Sequence, residues 1–170
     1  VLDPAPCSAE YSVLNPHTGV VVYNSHDGEQ RAAPLDGTSP PRVLTRPAGQ
    51  QIFAICQARE VAYSLDSPER YGKGIGDGWV GGFRFMERGR DARFSPDCQH
   101  LYFKEFAADL RRLGELRSLS RQPGQDFSAA VRLRLARNVG LYQELPDGRL
   151  LVAENLAVIG AQNRVSLIDA

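Results

Sequence analysis

Two stretches decide how this chain is to be read: Arg93-Phe-Ser-Pro-Asp-Cys-Gln-His-Leu-Tyr-Phe103 and Pro146-Asp-Gly-Arg-Leu-Leu-Val-Ala153. In each, a Pro-Asp turn leads into a compact apolar run. Proline presets φ at the start of such a turn, and the aspartate side chain accepts from backbone N–H groups just beyond it. A short strand-like stretch precedes each turn, Ala92–Phe94 in the first and Leu141–Gln143 in the second, so each stretch spells a hairpin.

Working outward, the arrangement recurs twice. Asn15-Pro-His-Thr-Gly19 leads from Tyr11–Leu14 into Val20-Val-Val-Tyr23, and Gln57-Ala-Arg-Glu60 leads from Ile52–Ile55 into Val61-Ala-Tyr63. Tyr23, Tyr63, Phe103 and Ala153, which close the four apolar runs, are separated by 40, 40 and 50 positions. Three of the units continue with a further alternating stretch, Gln30–Leu35, Glu115–Leu119 and Arg164–Ile168, where a period of two places one face inward. The 16 glycines and 11 prolines punctuate the chain at intervals instead of gathering in one linker. A sheet of three or four short strands cannot bury its faces alone, whereas stacked sheets share a continuous core. The expected fold is all-β: one domain over residues 1–170, a small or incomplete β-propeller-like array of about four antiparallel sheets.

Composition agrees with a single globular domain. The chain has 170 residues and 18.7 kDa, and is 42% apolar and 24% charged, enough to build a core and unlike a disordered or coiled-coil sequence. Twenty basic and twenty acidic residues give a net charge of +0, so no global field favours nucleic acid or anionic lipid. The apolar runs Leu150–Ala153 and Leu156–Gly160 are interrupted by Glu154 and Asn155, far below the ~20 residues of a membrane-spanning helix. The sequence opens Val1-Leu2-Asp3 without Met, as in a trimmed chain or a mature protein whose export signal has been removed. Cys7, Cys56 and Cys98 allow one internal disulfide in any of three pairings, or three buried thiols.

Together with Ala33-Pro-Leu-Asp-Gly-Thr-Ser-Pro-Pro-Arg-Val-Leu-Thr45, the two opening stretches resemble the WD40-like blade repeats of bacterial periplasmic β-propellers of the Tol type. The resemblance covers most of residues 9–170 and implies blades and a periplasmic setting; it specifies architecture and names no reaction. The sequence departs from the pattern by a glycine-rich insert in the second unit and by an extra Ser128–Asn138 segment in the last. Four units of roughly 40 residues make either the smallest closed ring or an open array.

Chemistry-bearing motifs are sparse. Gly76-x-Gly78-x-x-Gly81 has the spacing of a dinucleotide fingerprint, but Gly82-Phe-Arg-Phe-Met86 continues as a strand where a phosphate cradle needs a helix N-terminus. We read the stretch Tyr71–Gly82 as a mobile loop offering Tyr71, Lys73, Asp77 and Trp79 to a partner; a long turn with Trp79 tucked into the core is the alternative. Cys98-Gln99-His100 lacks a third member for nucleophilic or metal chemistry, and the other histidines, His17 and His26, have no metal-ligand spacing. Asp27, Asp36, Asp97 and Asp147 fall in turn strings and are expected to cap backbone. Phe106, Leu110 and Leu113 have helical spacing, but Gly114 ends it, so residues 104–121 are read as a hairpin with an elaborated tip carrying Arg117, Ser118, Ser120 and Arg121. In Val131-Arg-Leu-Arg-Leu-Ala-Arg137, alternation is expected to put Arg132 and Arg134 on a solvated face.

The functional expectation is a non-enzymatic periplasmic protein-binding module without metal or cofactor. Its finer form, suggested by the class of short periplasmic proteins built this way, is an immunity-type inhibitor. Such a chain would occlude the active site of an exported toxin enzyme, such as a peptidoglycan hydrolase delivered by type VI secretion. A cell-envelope scaffold, or less favourably a carbohydrate- or peptide-acting enzyme, is the alternative.

Overall fold

The computed structural model describes residues 7–15, 19–25, 29–44, 50–56, 60–66, 75–107, 113–155 and 160–169, with only the backbone described for 7–15, 24, 50–56 and 60–66. These form β1 (Cys7–Asn15), β2 (Val20–Ser25), β3 (Gln30–Pro34), β4 (Arg42–Val43), β5 (Gln50–Cys56), β6 (Glu60–Asp66), β7 (Gly76–Val80), β8 (Phe83–Phe94), β9 (His100–Glu105), β10 (Gly114–Ser120), β11 (Val131–Glu144), β12 (Leu150–Glu154) and β13 (Arg164–Ile168). A single 3-10 turn, Phe127–Ala129, is the one helical element among the described residues.

Strands β1 to β4 make one sheet and β5 to β13 a nine-stranded meander, each strand pairing antiparallel with its sequence neighbours. The meander is not one flat sheet, because two of its strands change partner midway. The first half of β8 pairs with β7 (Val80↔Phe83, Trp79↔Arg84) and its second half with β9 (Arg93↔Tyr102, Phe94↔Leu101). At the changeover the register breaks and Arg88 and Asp91 take positive φ values of 50° and 59°. Likewise β11 follows β10 from Ser120↔Val131, then turns at Asn138 (φ 54°) to pair with β12 through Leu141↔Ala153. Bulged residues of this kind bend and twist a strand, so that its second half faces a new direction.

The result is the expected four units. They are β1–β4; β5–β7 with the first half of β8; the rest of β8 with β9, β10 and the first half of β11; and the rest of β11 with β12 and β13. The Ser128–Asn138 segment, expected as an extra piece of the last unit, is instead the fourth strand of the third. Its alternation matches β10, but the pairing partner is not visible in local sequence.

Packing follows from the third unit being covered on both sides. Leu101, Phe103 and Leu119 on one face join Val80, Phe85, Met86, Ala92, Phe94 and Phe127, with Phe85 and Phe103 edge to face at 5.0 Å. On the other face Tyr102 and Leu116 join Val139, Tyr142, Leu150 and Val152 from the fourth unit. Two apolar cores therefore separate three successive sheets. A third cluster, Val22, Ala32 and Leu44, lies in the first sheet.

The Pro-Asp turns are built alike. Cys98 N–H and Gly148 N–H each donate 3.0 Å back to the carbonyls of Ser95 and Leu145. Asp97 Oδ1 accepts from Gln99 N–H at 3.0 Å and Asp147 Oδ1 from Arg149 N–H at 3.1 Å. Both residues after the aspartate have positive φ, 61° at Cys98 and 83° at Gly148.

Candidate functional site

The seams between units collect the polar chemistry. Between the second and third units, Arg132 forks onto both carboxylate oxygens of Glu105 at 2.7 Å, donates to the Phe85 carbonyl at 2.7 Å and lies 5.3 Å above the Phe103 ring. Arg117 Nε sits 2.8 Å from Glu105 Oε2, an ion pair without the alignment of a hydrogen bond, and its Nη2 donates to Glu115 at 2.6 Å. Arg134 approaches Glu115 at 3.5 Å. The series continues through Glu87, whose N–H donates to Glu105, to Arg84 at 2.6 Å and on to Asp77 at 2.8 Å. A planar guanidinium holds a carboxylate with two donors at once, which fixes geometry as well as charge.

Arg132 and Arg134 thus do not occupy a purely solvated face. Both arginines are exposed as the alternation predicts, but so are Val131 and Leu133, at 61% and 50%, and the arginines also reach acids from neighbouring strands.

Between the third and fourth units Lys104, 2% exposed, pairs with Asp91 at 2.7 Å and donates to the Gly140 carbonyl at 2.7 Å. Tyr142 Oη donates to the Asp91 carbonyl and also approaches the Tyr102 carbonyl at 3.2 Å. Burial pushes both Tyr102 and Tyr142 hydroxyls well above the usual phenol range, so both remain neutral. Nearby, burial and the charge of Asp97 raise the Glu144 carboxyl to about 7, against the opposing pull of Arg93. Burial pushes Asp97 itself upward, yet the hydrogen bonds from Ser95 and Gln99 and the charge of His100 outweigh it and the net direction is down. His100 Nδ1 contacts Ser120 Oγ at 2.9 Å, and its ring stacks with Tyr102 at 6.0 Å.

The residues expected to meet a partner divide accordingly. Tyr71 and Lys73 lie outside the described residues. Asp77 and Trp79 stand on β7, so from Gly76 to Val80 the stretch read as a mobile loop is a paired strand; its glycines give close approach, and Gly81 and Gly82 (φ 54° and 82°) make the turn into β8. Trp79 is half-buried, with its indole N–H enclosed and unpartnered. Arg117, Ser118 and Ser120 lie within β10, a central strand, and not at a hairpin tip. The charge series links Asp77 to Arg117, whereas Ser118, which is buried, and Ser120 face the opposite seam. Arg121 donates to the carbonyls of Cys98 and Gln125 and covers the Phe127 ring at 4.4 Å.

One surface was not singled out in the sequence. The outer face of the fourth unit carries Leu141 and Val165, both 66% exposed, with Leu167 at 51% and Leu151 at 38%. Register places Leu141 and Ala153 beside Val165, and Gln143 and Leu151 beside Leu167, so the face is continuous and bears no charge. The signal was the run Leu150-Leu-Val-Ala153, apolar at both parities, which a strand wet on one face does not need.

Cys98 is disulfide-bonded, and the side chains of Cys7 and Cys56 lie outside the described residues. No group of three or more metal-ligating side chains converges among the described residues, and none of their helices is long and apolar enough to cross a membrane.

No protein-family model matches this chain, and neither does any curated protein. Among solved structures, one from Agrobacterium tumefaciens assigned as a TolB is similar in fold, with 14% sequence identity, a TM-score of 0.62, and coverage of 98% of this chain. The match spans 63% of that longer protein.

Proposed function

We propose that this fold, an open array of blade-like sheets, serves as a non-enzymatic protein-binding module outside the cytoplasm. The observation that carries the reading is the uncharged apolar face of Leu141, Leu151, Val165 and Leu167 at the outer side of the last sheet. The faces between the second and third and between the third and fourth units are covered by a neighbouring sheet, and contiguous exposed apolar surface on an otherwise well-packed domain marks an interaction site. A disulfide at Cys98 suits an oxidising compartment and thereby the periplasm. The charged residues of the seams are spent on one another, as expected of a frame that binds by shape.

The finer form is an immunity-type inhibitor that blocks the active site of an exported hydrolase, with the part-exposed Asp77, Trp79, Arg117, Ser120 and Arg121 as further contacts. A cell-envelope scaffold is the competing form, and the shared fold with a TolB supports it. Affinity purification from the periplasm, with the wild-type chain and a Leu141→Ser/Val165→Ser variant, tests the reading. Recovery of a hydrolase that loses turnover at equimolar protein establishes inhibition, and recovery of a structural envelope protein establishes the scaffold. Loss of neither partner in the variant would sink the role given to this face.

A further inference from the structure

Cys98 occupies a position that the sister turn gives to glycine. In Ser95-Pro-Asp-Cys98 and Leu145-Pro-Asp-Gly148 the fourth residue takes a positive φ, 61° at Cys98 and 83° at Gly148. That conformation disfavours a side chain, so a cysteine kept there is held by something beyond the turn. Its N–H donates to the Ser95 carbonyl at 3.0 Å, and Arg121 Nε donates to its own carbonyl at 3.2 Å. The side chain is 2% exposed and joins the core that Val80, Phe85 and Met86 of the second unit share with Phe94, Leu101 and Phe103 of the third. It is bonded there to another sulfur.

The chain has three cysteines, so the other half of the bridge is Cys7 or Cys56. Bridged residues need Cα atoms about 4–7 Å apart, so backbone placement decides between them. Strand β5 opens the second unit and ends at Cys56, where the hairpin turn into β6 begins. The second half of β8 opens the third unit, and Cys98 lies in the hairpin turn from it into β9. β5 packs against β8. The first half of β8 stands three strands away from β5 in the same sheet, about 14 Å, so the packing is with the second half. Opening strands that lie side by side, each running to its own hairpin turn, bring Cys56 and Cys98 to one rim of one seam. Cys7 stands elsewhere. It belongs to the first unit, which shares none of the core around Cys98, and it begins its strand instead of ending it. Its pairing with Ser25, against Asn15 with Val20 at the hairpin end, puts it about 17 Å from its own turn.

We propose that Cys56 and Cys98 form the disulfide, a covalent staple between the second and third units, and that Cys7 remains a thiol. Oxidation joins the two sulfurs with loss of two protons and two electrons, which a disulfide-donating protein accepts as it is reduced to its dithiol. The bridge closes a loop that contains β6, β7 and β8, so the second unit cannot swing away from the third. This inference stands apart from the protein-binding reading and survives or fails without it.

The test is a disulfide map of the whole oxidised chain, alkylated in denaturant without reductant and then digested with trypsin. Cleavage separates the cysteines into residues 1–31, 43–59 and 94–104. A linked pair of 43–59 with 94–104, and alkylation at Cys7, is the expected result. A linked pair of 1–31 with 94–104, alkylation of Cys56 or Cys98, or a bridge between two chains would overturn the proposal. Melting temperatures give a second reading. Cys56→Ala and Cys98→Ala should each lower the midpoint by about 10 °C, and the double variant by no more than the larger single loss. Wild-type protein refolded in reductant should melt lower by a similar amount, and Cys7→Ala should melt as wild type. A loss in Cys7→Ala matching that in Cys98→Ala, or additive losses in the double variant, would also overturn it. If a variant fails to fold, the map of the wild-type chain decides alone.

Discussion

Glu144 is the residue at which acidity and fold are most tightly coupled. Its carboxyl titrates near 7 in the folded chain against an ordinary 4.5, because burial and Asp97 disfavour its charge. Between those two values the folded state holds a proton that the unfolded state has released. Stability from this group is complete below about pH 4.5 and is lost as pH rises through 7. With partial solvent access the effect is on the order of 1–2 kcal/mol. Denaturation midpoints at pH 5 and pH 8 should differ in that direction for the wild-type chain, and Glu144→Gln should flatten the difference by raising the pH 8 value. Lys104 tests the neighbouring seam. Lys104→Met keeps the apolar stem but leaves Asp91 and the Gly140 carbonyl without their donor, so urea denaturation should show a loss of about 1–3 kcal/mol. Neither role was legible in sequence: Lys104 and Glu144 read as ordinary strand residues until chain segments far apart in sequence enclose them.

At the scale of elements, the turns were readable and the faces only in part. Ser95-Pro-Asp-Cys98 and Leu145-Pro-Asp-Gly148 make the same hydrogen bonds, because proline and aspartate act within their own few residues. The exposure of the β11 arginines was legible but their ion pairs were not, because an arginine's long side chain can find Glu105 or Glu115 from another strand, a partner local alternation does not reveal. The glycine-rich stretch was misread for a similar reason. Gly78, and Gly89 on the neighbouring strand, are close-packed positions: an added Cβ at Gly78 would lie 2.7 Å from Phe85, and at Gly89 1.9 Å from Met86 and 2.6 Å from the Lys104 carbonyl. Gly89→Ala should therefore cost about 2–3 kcal/mol, since backbone of β9 cannot yield as a side chain can, and Gly78→Ala should cost less. Gly81→Ala meets open space and only its positive φ resists, a loss of about 1 kcal/mol. The ranking Gly89, Gly78, Gly81 in guanidinium midpoints is the check, and a reversal of the first and last would contradict the packing described for β8.

At the scale of the whole molecule, four units and an all-β architecture were legible because repetition survives without knowledge of contacts. Which strand closes each unit was not. The two cores hang on the same central sheet, Phe103 on one side and Tyr102 on the other, so neither can melt without exposing the other's support. Trp79, the chain's one tryptophan, reports on the second unit, and far-ultraviolet dichroism reports on every strand. Their denaturation curves should coincide as one transition, and separate midpoints would show the units unfolding independently. Because β8 and β11 each belong to two sheets, excising or copying one whole repeat would cut a strand through its middle. Breakpoints that leave every strand whole fall at hairpin tips such as Gly81-Gly82, so a workable chimaera of two relatives would inherit composite sheets, half from each parent.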